Sequence, residues 1–140
     1  MHNEIENHVK ALYWDQDLNC ARTMLVCLGK LYNTPVDTQT MNAAIGLHGA
    51  GGFRAQCGLV EGALMFIGFY FTGRGKSEEE IVSLCYQFAE EFTQNYGSLL
   101  CYDLRPGGFQ KNDPPHLCEN LTVSAVSFAH KFIQKADNLF

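Results

Sequence analysis

The chain has 140 residues, of which 46% are hydrophobic and 18% are charged, and its formal net charge is −5. This composition is typical of a folded globular protein and predicts one helical domain over residues 1–140 rather than a disordered chain. The acidic balance, without any run of basic residues, argues against nucleic acid as the partner.

Three helices are predicted before the glycine-rich middle of the chain. The apolar residues of 3–14 recur at helical spacing, which predicts an amphipathic helix. After a short break, a second and mostly apolar helix covers residues 20–31, with Asp17 or Asn19 as its N-cap. A third helix is predicted over residues 38–47.

The stretch 49–72 is predicted to form the centre of the fold, with the other helices packed around it. A glycine-rich loop leads through Arg54 to Cys57, and a long apolar run with one charged residue then predicts a buried central helix. At ~1.5 Å per residue this run is too short to cross a ~30 Å hydrocarbon core, so we expect no membrane insertion. Three glycines in the helix predict the close approach of another helix: Gly58, Gly62 and Gly68.

Two further helices are predicted after the central one. Ser77 with Glu80 three residues later forms a capping box, and Gly97 is the expected stop of that helix. The loop 98–115 holds three of the four prolines, and its length favours a functional or partner-contacting loop. A last helix covers 115–138, and the aromatic residues of these two helices form either core or a homo-oligomer face. Because no strand alternation is sustained, we predict an all-α bundle of about six helices around the central one.

Four of the six cysteines fall at the ends of predicted elements. Cys20, Cys57 and Cys118 begin helices, and Cys101 lies in the loop after the capped helix. A helix N-terminus stabilises a thiolate through its free N–H groups and its dipole. Arg54 lies three residues before Cys57 and adds positive charge, so we expect Cys57 to be the most reactive thiol.

The other two cysteines and two of the histidines are weaker candidates for a functional site. Cys27 and Cys85 lie within apolar helix faces and are interpreted as core residues. His48 and His116 stand near cysteines of the first group and are candidate ligands or bases. The polar N-terminus does not resemble a signal peptide, so we expect a cytoplasmic protein, in which structural disulfides are rare.

The chain resembles a family of small redox-active proteins named for four cysteines and a CGAxxG motif. The motif reads CGLVEG over residues 57–62, with Leu59 where alanine is usual. The resemblance extends over residues 19–133 and includes the NCA and HLC segments around the first and last of the four cysteines. It implies a helical fold with redox or metal chemistry at four positions: Cys20, Cys57, Cys101 and Cys118.

Three functions stay open at this point. In a redox protein the four cysteines would meet in one pocket and hold an iron–sulfur cluster or another thiophilic metal as cofactor, or they would cycle between dithiol and disulfide. Cys57 and Cys101 are then the redox candidates. In a non-catalytic accessory protein, associated with transport, the same pocket would capture a metal ion or a small ligand. In a purely structural bundle the cysteines would only pack. The sequence names no electron-transfer or transport partner.

Overall fold

A computed structural model describes residues 2–105 and 118–139 of the chain. Within these ranges the structure is helical apart from turns and one isolated antiparallel bridge, which confirms the all-α prediction. A π-helical turn, Ala11–Asp15, continues the first helix. The α-helices in chain order are α1 His2–Lys10, α2 Cys20–Leu31, α3 Thr38–Ala43, α4 Gly49–Gly52, α5 Gly58–Gly73, α6 Glu78–Tyr96, α7 Cys101–Leu104 and α8 Glu119–Leu139.

The helix ends follow local signals in the sequence. Asn19 caps α2, since its side-chain oxygen accepts the backbone N–H of Arg22 at 2.9 Å. Ser77 and Glu80 form the reciprocal capping box at the start of α6. Gly97 ends that helix in the left-handed conformation, with φ of 89°.

Two predicted segments differ from the structure, and a third lies largely outside the described residues. The third helix ends at Ala43 instead of residue 47, because tight turns with three-residue spacing, such as Leu47 N–H to Ala44 C=O, replace helical bonds. Cys101 lies at the start of the short helix α7 rather than in a loop. The predicted helix start at residue 115, and most of the loop 98–115, lie outside the described residues.

The predicted central helix is α5. Every residue from Gly58 to Phe71 is buried or half-buried. Helix α2 makes the most extensive contact with α5, and α6 and α8 cover its other sides. Because so little of α5 faces water, a strongly apolar composition is the expected one for this position.

Two of the three glycines in α5 explain why α2 approaches so closely. A Cβ atom added at Gly58 would lie 2.5 Å from Sγ of Cys20 and would also overlap the carbonyl oxygen of Leu47. A Cβ atom added at Gly62 would lie 2.5 Å from the carbonyl oxygen of Ala21. The prediction was wrong for Gly68, where an added Cβ atom would meet no atom of the described residues within 4 Å.

The aromatic residues of the last two long helices pack against one another. The rings of Phe88 and Phe132 are nearly perpendicular, with centroids 5.3 Å apart, and Phe92 and Phe128 join the same cluster. Phe88 and Phe92 are fully buried. Of the two predicted assignments for these aromatics, the structure therefore favours the core. In residues 2–105 and 118–139, no helix is long and apolar enough to cross a membrane.

Candidate functional site

Three cysteines from different parts of the chain line one cavity of about 490 Å³: Cys20, Cys101 and Cys118. Cys57 is only 5% exposed, and its charge acts on the thiol of Cys20. Charge on Cys101 or Cys118 in turn raises the pKa of Cys57. The structure therefore brings the four sequence-predicted cysteines together. We call the cavity and Cys57 the cysteine pocket.

The isolated antiparallel bridge between Gln56 and Leu100, which we call the ladder, connects the segments that carry Cys57 and Cys101. The N–H of Cys57 donates to the carbonyl of Leu99 at 2.8 Å, and the N–H of Cys101 donates to the carbonyl of Ala55 at 2.8 Å. This pattern puts both cysteines on the same face of the ladder. Residues that are diagonal neighbours in this way have Cα atoms about 7–8 Å apart. A disulfide needs Cα atoms within about 7 Å, so a small movement would bring this pair into bonding range.

Cys20 is held against the first turn of α5. It is the first residue of α2, directly after the capping Asn19. Its sulfur occupies the space that a side chain at Gly58 would need, and Gly58 directly follows Cys57. The close approach of α2 and α5 therefore places these two cysteines side by side.

The N-terminal end of α8 is anchored by the π-helical turn. The hydroxyl of Thr122 donates to the carbonyl of Cys118 at 2.9 Å. Since this hydroxyl has one hydrogen, the hydroxyl of Tyr13 is the donor in its 2.5 Å bond to Thr122. The indole N–H of Trp14 donates to Glu119 at 2.6 Å. These bonds position Cys118 at the pocket. The sequence did not identify Tyr13 as a pocket residue. Its helical spacing from other apolar residues indicates only that it lies on the apolar face of a helix.

Burial is the largest influence on the pKa values of the Cys20 and Cys57 thiols. It raises the pKa of Cys20 to about 12 and the pKa of Cys57 to about 11. At Cys57 the N–H groups of Leu59 and Val60 lower the pKa, as expected at a helix N-terminus, but this effect is smaller than burial. The expectation that the helix N-terminus and Arg54 lower the pKa of Cys57 is therefore wrong, because the sulfur is buried rather than partly exposed.

The positive charges of the site act on Cys101 instead. Burial raises the pKa of Cys101, while the charges of Arg105 and Arg54 lower it. Arg54 was expected to act on Cys57. The ladder explains the difference, because the backbone of Arg54 lies beside Tyr102, next to Cys101. Among the four cysteines, Cys101 is the one whose charged neighbours all favour the thiolate.

Polar residues that sequence reasoning did not assign to a site also line the pocket. Arg22 is half-buried there, and its Nε donates to the side-chain oxygen of Asn19 at 3.3 Å. The amide nitrogen of Asn19 lies 3.3 Å from Nδ1 of His48 and donates to the carbonyl of Ile45 at 2.8 Å. Arg105 also lines the pocket, and its charge acts on Cys101. The other candidate histidine, at position 116, lies outside the described residues.

Cys27 and Cys85 do not line the cysteine pocket. Cys27 is 1% exposed, and burial raises its pKa to about 12. It borders a separate cavity of about 330 Å³ beside His8 and Lys30. Cys85 is half-buried on α6, and burial raises its pKa.

All six cysteines are free thiols in the structure. Four thiolates are a suitable donor set for zinc or for an iron–sulfur cluster. In the part of the chain that the structure describes, however, no three cysteine, histidine or acidic side chains are arranged to hold a metal ion. The ligand role of Cys20, Cys57, Cys101 and Cys118 stays a prediction.

Comparison with known proteins gives one match. The family model described as "Putative redox-active protein (C_GCAxxG_C_C)" matches residues 18–132. This span contains all four cysteines of the cysteine pocket. No curated protein and no solved structure matches the chain.

Proposed function

The chain belongs to the C_GCAxxG_C_C family, and from this premise we propose that it is a thiol–disulfide oxidoreductase whose redox pair is Cys57 and Cys101. The observation that supports this pair is the ladder, which fixes the two backbones as diagonal neighbours on one face. Cys101 borders the cavity and has positive charge beside it, so it is the attacking thiol. Cys57 is almost fully buried and is the resolving thiol.

The proposed reaction is an exchange with a substrate disulfide. The thiolate of Cys101 attacks one substrate sulfur, the substrate S–S bond breaks, and the first substrate thiolate leaves and takes a proton. Cys57 then loses its proton and attacks the sulfur of Cys101, which releases the second substrate thiol. Overall the protein dithiol loses two electrons and two protons, and the substrate disulfide gains them.

The high pKa of Cys57 is consistent with its role as resolving thiol. A pKa of about 11 keeps Cys57 protonated near neutral pH, so that Cys101 attacks first. A cytoplasmic location, which the sequence predicts, would keep the pair in its dithiol form between turnovers.

The convergence of four thiols supports a second candidate function. Cys20, Cys57, Cys101 and Cys118 would bind a thiophilic metal or an iron–sulfur cluster, either for electron transfer or for delivery to a transport partner. At least three of the thiols would have to close around one ion, which requires side-chain movement from the described arrangement.

The two candidates are separated by treating the reduced protein with one equivalent of a small disulfide and mapping the products by peptide mass. The exchange mechanism predicts a bond between Cys57 and Cys101 and its loss in Cys57→Ser and Cys101→Ser. Cys85→Ser, which changes a half-buried thiol outside the pocket, should leave the bond intact. Stoichiometric iron with sulfide, or zinc, in protein purified without oxygen, together with no such bond, would favour the second candidate.

A further inference from the structure

Two of the three charged residues described in the lining of the cysteine pocket are positive, although the chain as a whole is acidic. Arg22 and Arg105 both line it. Among the described lining residues the only acidic one is Asp17, which is exposed. The formal net charge of the chain is −5, so this concentration of cations runs against its general charge. Such a local reversal of sign favours the capture of an anion.

The two arginines approach the thiols from different elements. Arg22 lies in the first turn of α2, two residues after Cys20, and the side chain of Asn19 holds its Nε. Asn19 is itself fixed by its bond to the carbonyl of Ile45. Arg105 follows α7, and its charge lowers the pKa of Cys101. A ligand in the cavity would therefore have among its neighbours one arginine of α2 and a second arginine whose charge acts on the attacking thiol.

The form of the cavity limits the size of the substrate. Its volume of about 490 Å³ is that of a pocket for a small molecule. Cys101 is half-buried in the pocket wall, so a disulfide on the surface of a folded protein would have difficulty reaching it. Guanidinium groups bind carboxylates through paired N–H donors, with stronger hydrogen bonds than those between neutral groups.

We propose that the substrate of the cysteine pocket is a small disulfide that carries carboxylate groups, with Arg22 and Arg105 as the carboxylate-binding residues. This inference rests on the proposed function, because it names the substrate class for the Cys57–Cys101 exchange. Arg22 contributes to binding, whereas Arg105 contributes both to binding and to the ionisation of Cys101.

A single-turnover experiment tests the substrate class. Reduced protein is mixed with 3,3′-dithiodipropionate, with the neutral 2-hydroxyethyl disulfide and with the cationic cystamine. Each rate constant is divided by that for a free low-molecular-weight thiol, which corrects for the intrinsic reactivity of the disulfide. The dicarboxylate should be preferred over the neutral disulfide by about tenfold or more, as expected for a hydrogen bond to a charged group.

Variants test which cation is responsible. Arg22→Gln should lower the ratio of the two corrected rate constants about tenfold, and Arg22→Lys should restore part of it. Lys131→Gln removes the same charge from an exposed position on α8 and should leave the ratio unchanged. An unchanged ratio in Arg22→Gln would overturn the role of this residue.

Binding without chemistry provides an independent measurement. In the double variant Cys57→Ser and Cys101→Ser, at about pH 6, where burial keeps the remaining pocket thiols of Cys20 and Cys118 protonated, titration calorimetry should show tighter binding of 3,3′-dithiodipropionate than of the neutral disulfide. Equal binding and equal corrected rates would overturn the substrate class while the redox function stands. If no disulfide oxidises the Cys57–Cys101 pair, both the proposed function and this inference are wrong.

Discussion

Cys57 and Cys101 each stand at the beginning of a helix, but their surroundings act differently on the two thiols. Cys57 is almost fully buried. The loss of hydration raises the pKa of its thiol by more than the N–H groups of the helix N-terminus lower it. Cys101 is less buried and has Arg105 and Arg54 as its charged neighbours. Burial is a property of the folded chain, so the position of a cysteine in the sequence does not reveal it.

The first prediction concerns the order in which the thiols ionise. In reduced, metal-free protein, Cys101 should be alkylated at lower pH than Cys57 and Cys20, because nearby arginines favour its thiolate. Peptide mass after brief alkylation across a pH series measures this order. Arg105→Gln should shift the profile of Cys101 to higher pH, and Lys131→Gln should not. The physical account fails if Cys57 reacts first or if all six thiols react alike.

At the scale of elements, the contact between α2 and α5 positions two of the four pocket cysteines, Cys20 and Cys57. Gly58 and Gly62 are four residues apart and share one helix face, which α2 covers. Gly68 is six residues after Gly62, so it points in another direction around the helix. A sequence can therefore identify the face of close approach, provided that each glycine is assigned by its angle.

Alanine substitution at two of these glycines provides a matched comparison. Gly58→Ala places a methyl group against Cys20 and the Leu47 carbonyl, and we expect a loss of about 1–3 kcal/mol in the free energy of unfolding. Gly68→Ala has open space, so it should be neutral or stabilising by up to about 1 kcal/mol through helix propensity. Urea denaturation measures both changes. Similar changes for the two variants would contradict the described packing of α2 on α5.

At the scale of the whole molecule, local signals predicted the elements and singled out the four cysteines, but not the other residues that meet at the pocket. Asn19, Ser77 and Gly97 mark helix ends through bonds within a few residues, and such bonds can be recognised in a sequence. Tyr13 and Arg105 reach the pocket only because distant segments pack together. The family resemblance identified the four cysteines as a group, but it contained no information on their burial or on the arginines.

The buried thiols also make the stability of the reduced protein depend on pH. Burial raises the pKa values of Cys20 and Cys27 from 9.0 to about 12. Between these values the unfolded chain loses protons that the folded chain keeps, so stability is complete below about pH 9 and falls as the pH rises. Each such thiol contributes a slope of about 1.4 kcal/mol per pH unit.

Urea denaturation of the reduced protein at pH 8 and pH 10 measures this dependence. The free energy of unfolding should be lower at pH 10, and Cys27→Ser should show a smaller difference between the two pH values. Cys27 is suited to this test because it lies outside the cysteine pocket. Equal stability at both pH values would mean that the thiols are less buried than the structure describes.

The central claim is that Cys57 and Cys101 form one reversible two-electron couple. Equilibration of the protein in a series of glutathione redox buffers, with acid quenching and peptide mapping, tests it most directly. We expect a single transition with a two-electron slope, of about 30 mV for each tenfold change in the ratio of disulfide to dithiol. The Cys57–Cys101 disulfide should be the product, and Cys85→Ser should retain it. The claim is contradicted if all six thiols remain free throughout the series, or if the disulfide forms between other cysteines.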